Sequence, residues 1–288
     1  MFHRKHATRS LLAPMVIVIL FAIAAGVAAC GDGAGNKGAL EHPKGVNEVV
    51  LRVSAGGGFV TPQTNLRSVP QFTLYGDGTI IVTGPMIEIY PGPALPNLQT
   101  IKVSEETIQA MLSAAQEAGL LANGVDYGRP GITDMPSTTI TVNADGQTYE
   151  SNIYALGVDA PSSGLSLEQQ QARAAINELV GRFGDVSGFE QGLSWTAYKF
   201  ESLRIYSSAA MTDQGTDIQP NKLDWPLGDL STLGEPTDPE GYRKAVVTGA
   251  DLEKLRPLLD QATEITVWNS AAKEYNVVFR PLLPDETA

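Results

Sequence analysis

Phe72-Thr-Leu-Tyr75, Gly76-Asp77-Gly78, Thr79-Ile-Ile-Val82 is the stretch that decides the fold. Two short runs of β-branched and aromatic residues flank a Gly-Asp-Gly turn, and glycine admits the positive φ that tight hairpins need. An antiparallel pair results, because the turn leaves no room for the crossover that parallel strands require. Upstream, Glu48-Val-Val-Leu-Arg-Val53 predicts a strand ending at Gly56-Gly57-Gly58. Downstream, Ser104 predicts a helix N-cap, with Glu105 and Glu106 in the first turn where the helix dipole favours anions. Ile108, Met111, Leu112 and Ala115 recur at helical spacing, and Gly119 is placed to end that helix.

The same grammar continues along the chain. Thr138–Val142 and Gln147–Ile153 flank Asn143-Ala-Asp-Gly146, a second hairpin. Ser166 and Gln169 make a capping-box pair opening another helix, with Ala172, Ala175, Ile176, Leu179, Val180 and Phe183 as its apolar face. Gly184 to Gly192 is a Gly/polar break and the expected domain boundary. Beyond it Tyr198–Tyr206 predicts a strand, and Ser207 to Gly241 is rich in Asp, Pro and Gly. Ala245-Val-Val247 predicts another strand. Thr248 then caps a helix, with Asp251 completing its box and Leu252, Leu255 and Leu259 inward. Thr263–Trp268 and Glu274–Phe279 pair around Asn269-Ser-Ala-Ala-Lys273.

Strand, Ser/Thr-capped helix and two paired strands therefore occur twice, at 101–154 and 245–279, and Ser104, Ile108 and Met111 match Thr248, Leu252 and Leu255 in register. Duplication and convergent α+β grammar explain that pattern equally well. The predicted class is α+β, with two antiparallel sheets that each carry helices on one face. The expected domains span 47–186 and 193–288.

The first thirty residues read differently. Arg4, Lys5 and Arg9 form a basic start, no residue from Leu11 to Ala29 is charged, and Gly26-Val27-Ala28-Ala29 leads into Cys30. Basic, apolar, then small is the order of a secretory signal. The basic end stays cytoplasmic, so the chain beyond Ala29 is delivered outward. Val27-Ala28-Ala29-Cys30 resembles the lipobox of bacterial lipoproteins, and Cys30 is the only cysteine in 288 residues. That resemblance implies a diacylglyceryl group on the Cys30 thiol, cleavage after Ala29, and a lipid anchor on the outer side of a membrane. The competing reading is an uncleaved helix, since 19 uncharged residues suffice to span a bilayer. One acyl chain anchors only marginally, at ~0.8 kcal/mol per buried methylene, whereas two or three hold firmly. Residues 30–46, opening with Gly31-Asp-Gly-Ala-Gly-Asn-Lys-Gly38, are expected to be a flexible tether reaching roughly 20–25 Å.

Composition sets further bounds. Without residues 1–29, which carry Arg4, Lys5 and Arg9, the chain has 17 basic and 32 acidic residues, a formal charge of −15. Such a surface repels phosphate backbones, so nucleic acid is not an expected partner. With its one thiol lipidated, the mature chain has no disulfide, and stability must come from packing. His3 and His6 leave with the signal and His42 falls in the expected tether, so the folded region is expected to lack histidine as well as cysteine. That excludes Ser-His-Asp and Cys-His catalysis and nearly all zinc and copper sites. No cofactor or metal is expected.

Several short matches carry nothing. Gly33-Ala-Gly35-Asn-Lys-Gly38 fits GxGxxG but follows no strand and opens no helix. Ser270-Ala-Ala-Lys273 fits SxxK but falls in a hairpin turn rather than at a helix start. Asp213, Asp217 and Asp224 lack the spacing of a calcium loop. Trp195, Trp225 and Trp268 read first as core. The candidate ligand loop is Asp126-Tyr127-Gly-Arg129-Pro-Gly-Ile-Thr-Asp134, where Asp126 and Asp134 can flank Arg129. The same residues also fit an internal ion pair pinning the loop, with Asp134 in an Asx-type turn before Pro136.

Tyr75-Gly-Asp-Gly78, Gly84, the Ser104 helix and Thr133-Asp134-Met-Pro136 together resemble a small bacterial domain family of unknown function over residues 75–153. The resemblance implies the α+β fold and no activity. The function expected is a lipid-anchored, non-enzymatic binding or interaction module of the cell envelope, meeting an envelope protein or glycan. The alternative is a carboxylate-based glycan hydrolase, which needs two carboxyls about 5–5.5 Å or 6.5–9.5 Å apart across a cleft. A solute-binding subunit would need βαβ lobes, against the hairpin grammar.

Overall fold

The computed structural model describes residues 38–158, 164–210 and 218–286. Cys30 and the lipobox residues Val27, Ala28 and Ala29 lie outside them, as do Asp213 and Asp217. The elements in chain order are β1 (Val49–Gly56), α1 (Pro62–Arg67), β2 (Phe72–Tyr75), β3 (Thr79–Thr83), β4 (Leu98–Lys102) and α2 (Glu105–Glu117). Then come β5 (Ser137–Ala144), β6 (Gln147–Tyr154), α3 (Leu167–Gly184), β7 (Thr196–Ala197), β8 (Ser202–Ala209), β9 (Lys222–Asp224) and β10 (Glu235–Thr237). The chain ends with β11 (Tyr242–Thr248), α4 (Gly249–Leu259), β12 (Val267–Ser270) and β13 (Lys273–Pro281).

The fold is α+β. A seven-stranded antiparallel sheet runs β6-β5-β1-β2-β3-β4-β7, and a six-stranded sheet runs β10-β11-β8-β13-β12-β9. Among the described residues only the β12–β9 pairing is parallel. The β2–β3 hairpin forms as read, with Phe72 opposite Val82 and Leu74 opposite Ile80. These four turn to one face and pack with Ile108, Met111 and Leu112 of α2 and Ile176, Leu179 and Phe183 of α3. Tyr75 and Ile81 turn to the other face and are buried with Leu98 and Leu283. Covered on both faces, the hairpin reads as an unbroken apolar run instead of an alternating one. In the second sheet, Leu252, Leu255 and Leu259 of α4 pack on Leu203, Ile205 and Val247. Trp225, Trp268 and Phe279 interlock there at ring separations of 5.4 to 6.4 Å.

Local signals set the helix ends. The Ser104 hydroxyl accepts from Thr107 N, and Gly119 takes φ 79° just past α2. At α3 both capping-box bonds form, Gln169 N to the Ser166 hydroxyl at 3.2 Å and Ser166 N to Gln169 Oε1 at 3.1 Å. The Thr248–Asp251 box expected at α4 does not form: Thr248 makes no side-chain cap, and Asp251 pairs with Lys254 instead. The buried face of α3 is also rotated from the expected one. Arg173 is fully buried and donates to the carbonyls of Tyr154 and Ala155, while Ala175 faces solvent.

Strand order separates the two strand-helix-strand-strand units. In the first sheet β5, the leading strand after the helix, lies inside beside β1. In the second, β13, the trailing strand, lies inside beside β8. The shared sequence pattern is therefore not a shared topology. Ala39–Ala288 form one compact unit carrying both sheets, where the sequence predicts successive domains at 47–186 and 193–288. The Gly184–Gly192 break is crossed because β7 returns to pair with β4 of the first sheet.

The expected tether is docked from residue 39 onward. Gln109 bonds both the N–H and the carbonyl of Leu40, and Glu41 exchanges bonds with Asp145. His42 is buried: Nδ1 donates to the Pro43 carbonyl at 2.6 Å, and Nε2 lies 2.9 Å from Glu105 and 2.8 Å from Lys44 Nζ. A Cβ on Gly76 would run into the Pro43 carbonyl, and one on Gly78, at φ 86°, into that of Val103. The Gly-Asp-Gly turn thus serves tertiary contact as well as reversal. The folded region therefore does contain a histidine, a correction the sequence hides because the docking partners lie 63 to 104 positions away.

Candidate functional site

Four prolines, Pro85, Pro91, Pro93 and Pro96, punctuate the connection between β3 and β4 and keep it from joining a ladder. Between the first two lies Met86-Ile87-Glu88-Ile89-Tyr90. Its four apolar side chains are 53 to 75% exposed. Across from it, Thr61 caps the short α1, which ends in Arg67. Arg67 Nη1 donates to Glu264 at 2.8 Å, and Nη2 donates to the carbonyls of Ala94 and, at longer range, Pro93. The other Glu264 oxygen accepts from Gly92 N at 2.9 Å. Backbone bonds from Ala94 N to Ala262 and from Glu264 N to Gly92 fasten the connection to the segment between α4 and β12.

The result is a groove of about 520 Å³ between α1 and the 84–97 connection, walled by Ala55, Val69, Met86, Ile87, Ile89 and Leu95. That volume falls within the roughly 300–1,000 Å³ of sites that bury small molecules. Register places the groove at the sheet end where β1 and β3 finish and β2 begins. Phe59, 90% exposed, and Val60 follow β1 at the same sheet end. Segment 39–46 docks at the opposite end, against the β2–β3 turn and the start of α2.

The polar groups at the inner end of the groove are partnered. Beyond Arg67 and Glu264, the Ser68 hydroxyl donates to the Ala55 carbonyl and that of Thr83 to Pro70. Gln71 and Glu88 are exposed at the rim. Two carboxyls line the groove, Glu88 at the exposed rim and Glu264, which is bound through both oxygens.

The loop favoured by the sequence is placed elsewhere. Asp126 accepts from Gly128 N and from Gln169 at the start of α3, and the Tyr127 hydroxyl is buried against Ser151. Arg129 stacks on the Tyr154 ring at 3.7 Å. Asp134 takes φ 62°, and its carbonyl accepts from Phe59 N. Among the described residues neither Asp126 nor Asp134 forms an ion pair with Arg129. Just before the loop, Asn123 covers the outer edge of β6: it accepts from Glu150 N and donates to the Thr148 carbonyl, taking the place of a neighbouring strand. The signal for the groove lay in an apolar run closed between prolines, with neither helical nor strand periodicity.

Among the described residues no group of three His, Cys, Asp or Glu side chains converges as a metal site. No helix among them is long and apolar enough to cross a membrane. No protein-family model matches the chain, and no curated protein or solved structure is similar to it. The resemblance over residues 75–153 rests on its motifs alone.

Proposed function

We propose that this protein is a lipid-anchored, extracytoplasmic binding module of the cell envelope whose binding face is the groove between α1 and the 84–97 connection. The observation that carries the reading is the exposed Met86, Ile87, Ile89 and Tyr90 beside an apolar groove of about 520 Å³. Contiguous apolar surface on an otherwise acidic protein is retained where something covers it. The anchor rests on Val27-Ala28-Ala29-Cys30 and the basic, then apolar, residues before it. Eight residues of β1, a length of about 25 Å, separate the groove from the docked 39–46 segment.

Two measurements test the two halves of the reading. Intact mass of the membrane-extracted protein should lack residues 1–29 and carry acyl chains, and Cys30→Ala should stay uncleaved. An unacylated full-length mass would remove the anchor. Nile red, an uncharged dye that brightens in apolar sites, should bind the protein, and Ile87→Asp should weaken it severalfold. Unchanged dye binding in that variant would remove the groove.

A further inference from the structure

We infer that the groove takes one uncharged hydrocarbon chain, the acyl or prenyl tail of a lipid, with the polar end of the ligand left in solvent. This rests on the groove being the binding face and names its ligand. The walls offer methyl and methylene groups from Val69, Met86, Ile87, Ile89 and Leu95. The polar groups inside are spoken for: Arg67 holds Glu264 and two carbonyls, Glu264 also holds Gly92 N, and Ser68 and Thr83 bond to backbone. An anionic group entering the groove would meet no unengaged cation among the described residues that line it. A peptide laid in it would bury backbone N–H and C=O groups that the engaged Arg67, Glu264, Ser68 and Thr83 do not receive, and each such group is costly to leave unpaired. A hydrocarbon tail brings no polar group and gains about 0.8 kcal/mol for each methylene removed from water. With Gln71 and Glu88 at the exposed rim, shape and apolarity are what the groove interior supplies, and a single chain uses both.

Native mass spectrometry of the purified, detergent-free full chain with monooleoylglycerol and, separately, farnesol tests this. One bound ligand per protein is expected for at least one of the two, which also says whether acyl or prenyl tails are preferred. Ile87→Asp and Leu95→Asp should raise the dissociation constant at least tenfold. Val246→Asp, on the second sheet, should leave it unchanged. Ile87 is three-quarters exposed, so its variant keeps the fold even if the Leu95 variant does not. Absence of stoichiometric binding by both ligands, or binding indifferent to Ile87→Asp, overturns the inference. If Nile red still reports the groove in that case, the binding face stands and only the ligand class falls. Binding of an apolar peptide that excludes both lipids would also overturn it.

Discussion

Arg52 on β1 and Asp285 in the C-terminal turn, 233 positions apart, form an ion pair of 2.7 Å. The Tyr75 hydroxyl donates to the same carboxylate oxygen, also at 2.7 Å. Five residues earlier Arg280 grips Glu286 through two bonds and donates from Nε to the Ser68 carbonyl. The turn that follows β13 is thus bolted to the first sheet, over the face that buries Tyr75, Ile81 and Leu283. Both side chains of the Arg52–Asp285 pair are about one-fifth exposed, so losing one partner strands a charge in a poorly hydrated place.

Arg52→Ala should therefore destabilise the protein by about 3 kcal/mol, the low end for broken buried pairs. Tyr75→Phe should cost about 1 kcal/mol, one hydrogen bond. Urea unfolding of Arg52→Ala, Asp285→Asn and the double variant checks this. Strictly additive losses would mean the two residues are not coupled.

Acid should weaken the same junction. Burial opposes ionisation of Asp285, but hydrogen bonds from Arg52 and Tyr75 and the Arg52 charge hold its carboxyl below the usual range. Glu105 is brought down to about 2, first by its bond from Lys44 and then, against slight burial, by those from His42 and Gln109. A depressed folded pKa gives stability that is present above the unfolded value and lost as pH falls through the folded one. The loss is expected from about pH 4.5 down to about 2. Glu105 is more than half exposed, so screening keeps its share under about 1 kcal/mol. Urea midpoints measured across that window should fall less steeply in Asp285→Asn than in the parent, with a smaller flattening in Glu105→Gln.

Alkali acts through Tyr75. Burial, then its bond to Asp285 and the charge there, pushes the phenol well above its ordinary value. A raised pKa gives stability that is complete below the unfolded value, about 10 for tyrosine, and is lost as pH rises. Unfolding should set in above about pH 10, and Tyr75→Phe should make the protein less sensitive there. Equal alkaline slopes in parent and variant would contradict the assignment.

The β12–β13 turn is built from Ala271 and Ala272 at φ 50° and 61°. Two-residue hairpin turns of this kind favour Asn-Gly, because an L side chain with a Cβ is strained at positive φ by roughly 1–2 kcal/mol. Ala271→Asn with Ala272→Gly should raise stability by about 1 kcal/mol, visible as a higher Tm. A lower Tm would mean that the alanine methyl groups do more for packing than their backbone strain costs.

Asn123 covers the β6 edge through both ends of its amide. Asn123→Ala should lose about 1 kcal/mol and, by freeing Thr148 O and Glu150 N, promote concentration-dependent association. Light scattering against concentration tests this, and a variant that stays monomeric at high concentration would refute it.

Where partners lie close in sequence, the fold was legible. The Gly76-Asp77-Gly78 hairpin, the Ser104 and Ser166 caps and the Leu252, Leu255 and Leu259 face each come from turn chemistry, a cap bond three residues long, or a 3.6-residue period. The site was not legible in that way. Asp126 and Arg129 drew attention as charges in a long loop, yet Asp126 is absorbed by Gly128 and Gln169 and Arg129 by Tyr154. Ile87 and Ile89 carry no chemistry that sequence reading looks for, and only their exposure makes them informative.

By itself, then, the sequence determined most of the local elements and the antiparallel α+β class, because each depends on neighbours a few bonds away. Tertiary structure alone decided that both sheets share one compact unit, that His42 is buried against Glu105, and that Arg67 and Glu264 meet at a groove. Those depend on pairs 63 to 233 positions apart, whose meeting is set by the packing of whole sheets and leaves no periodic mark on the chain.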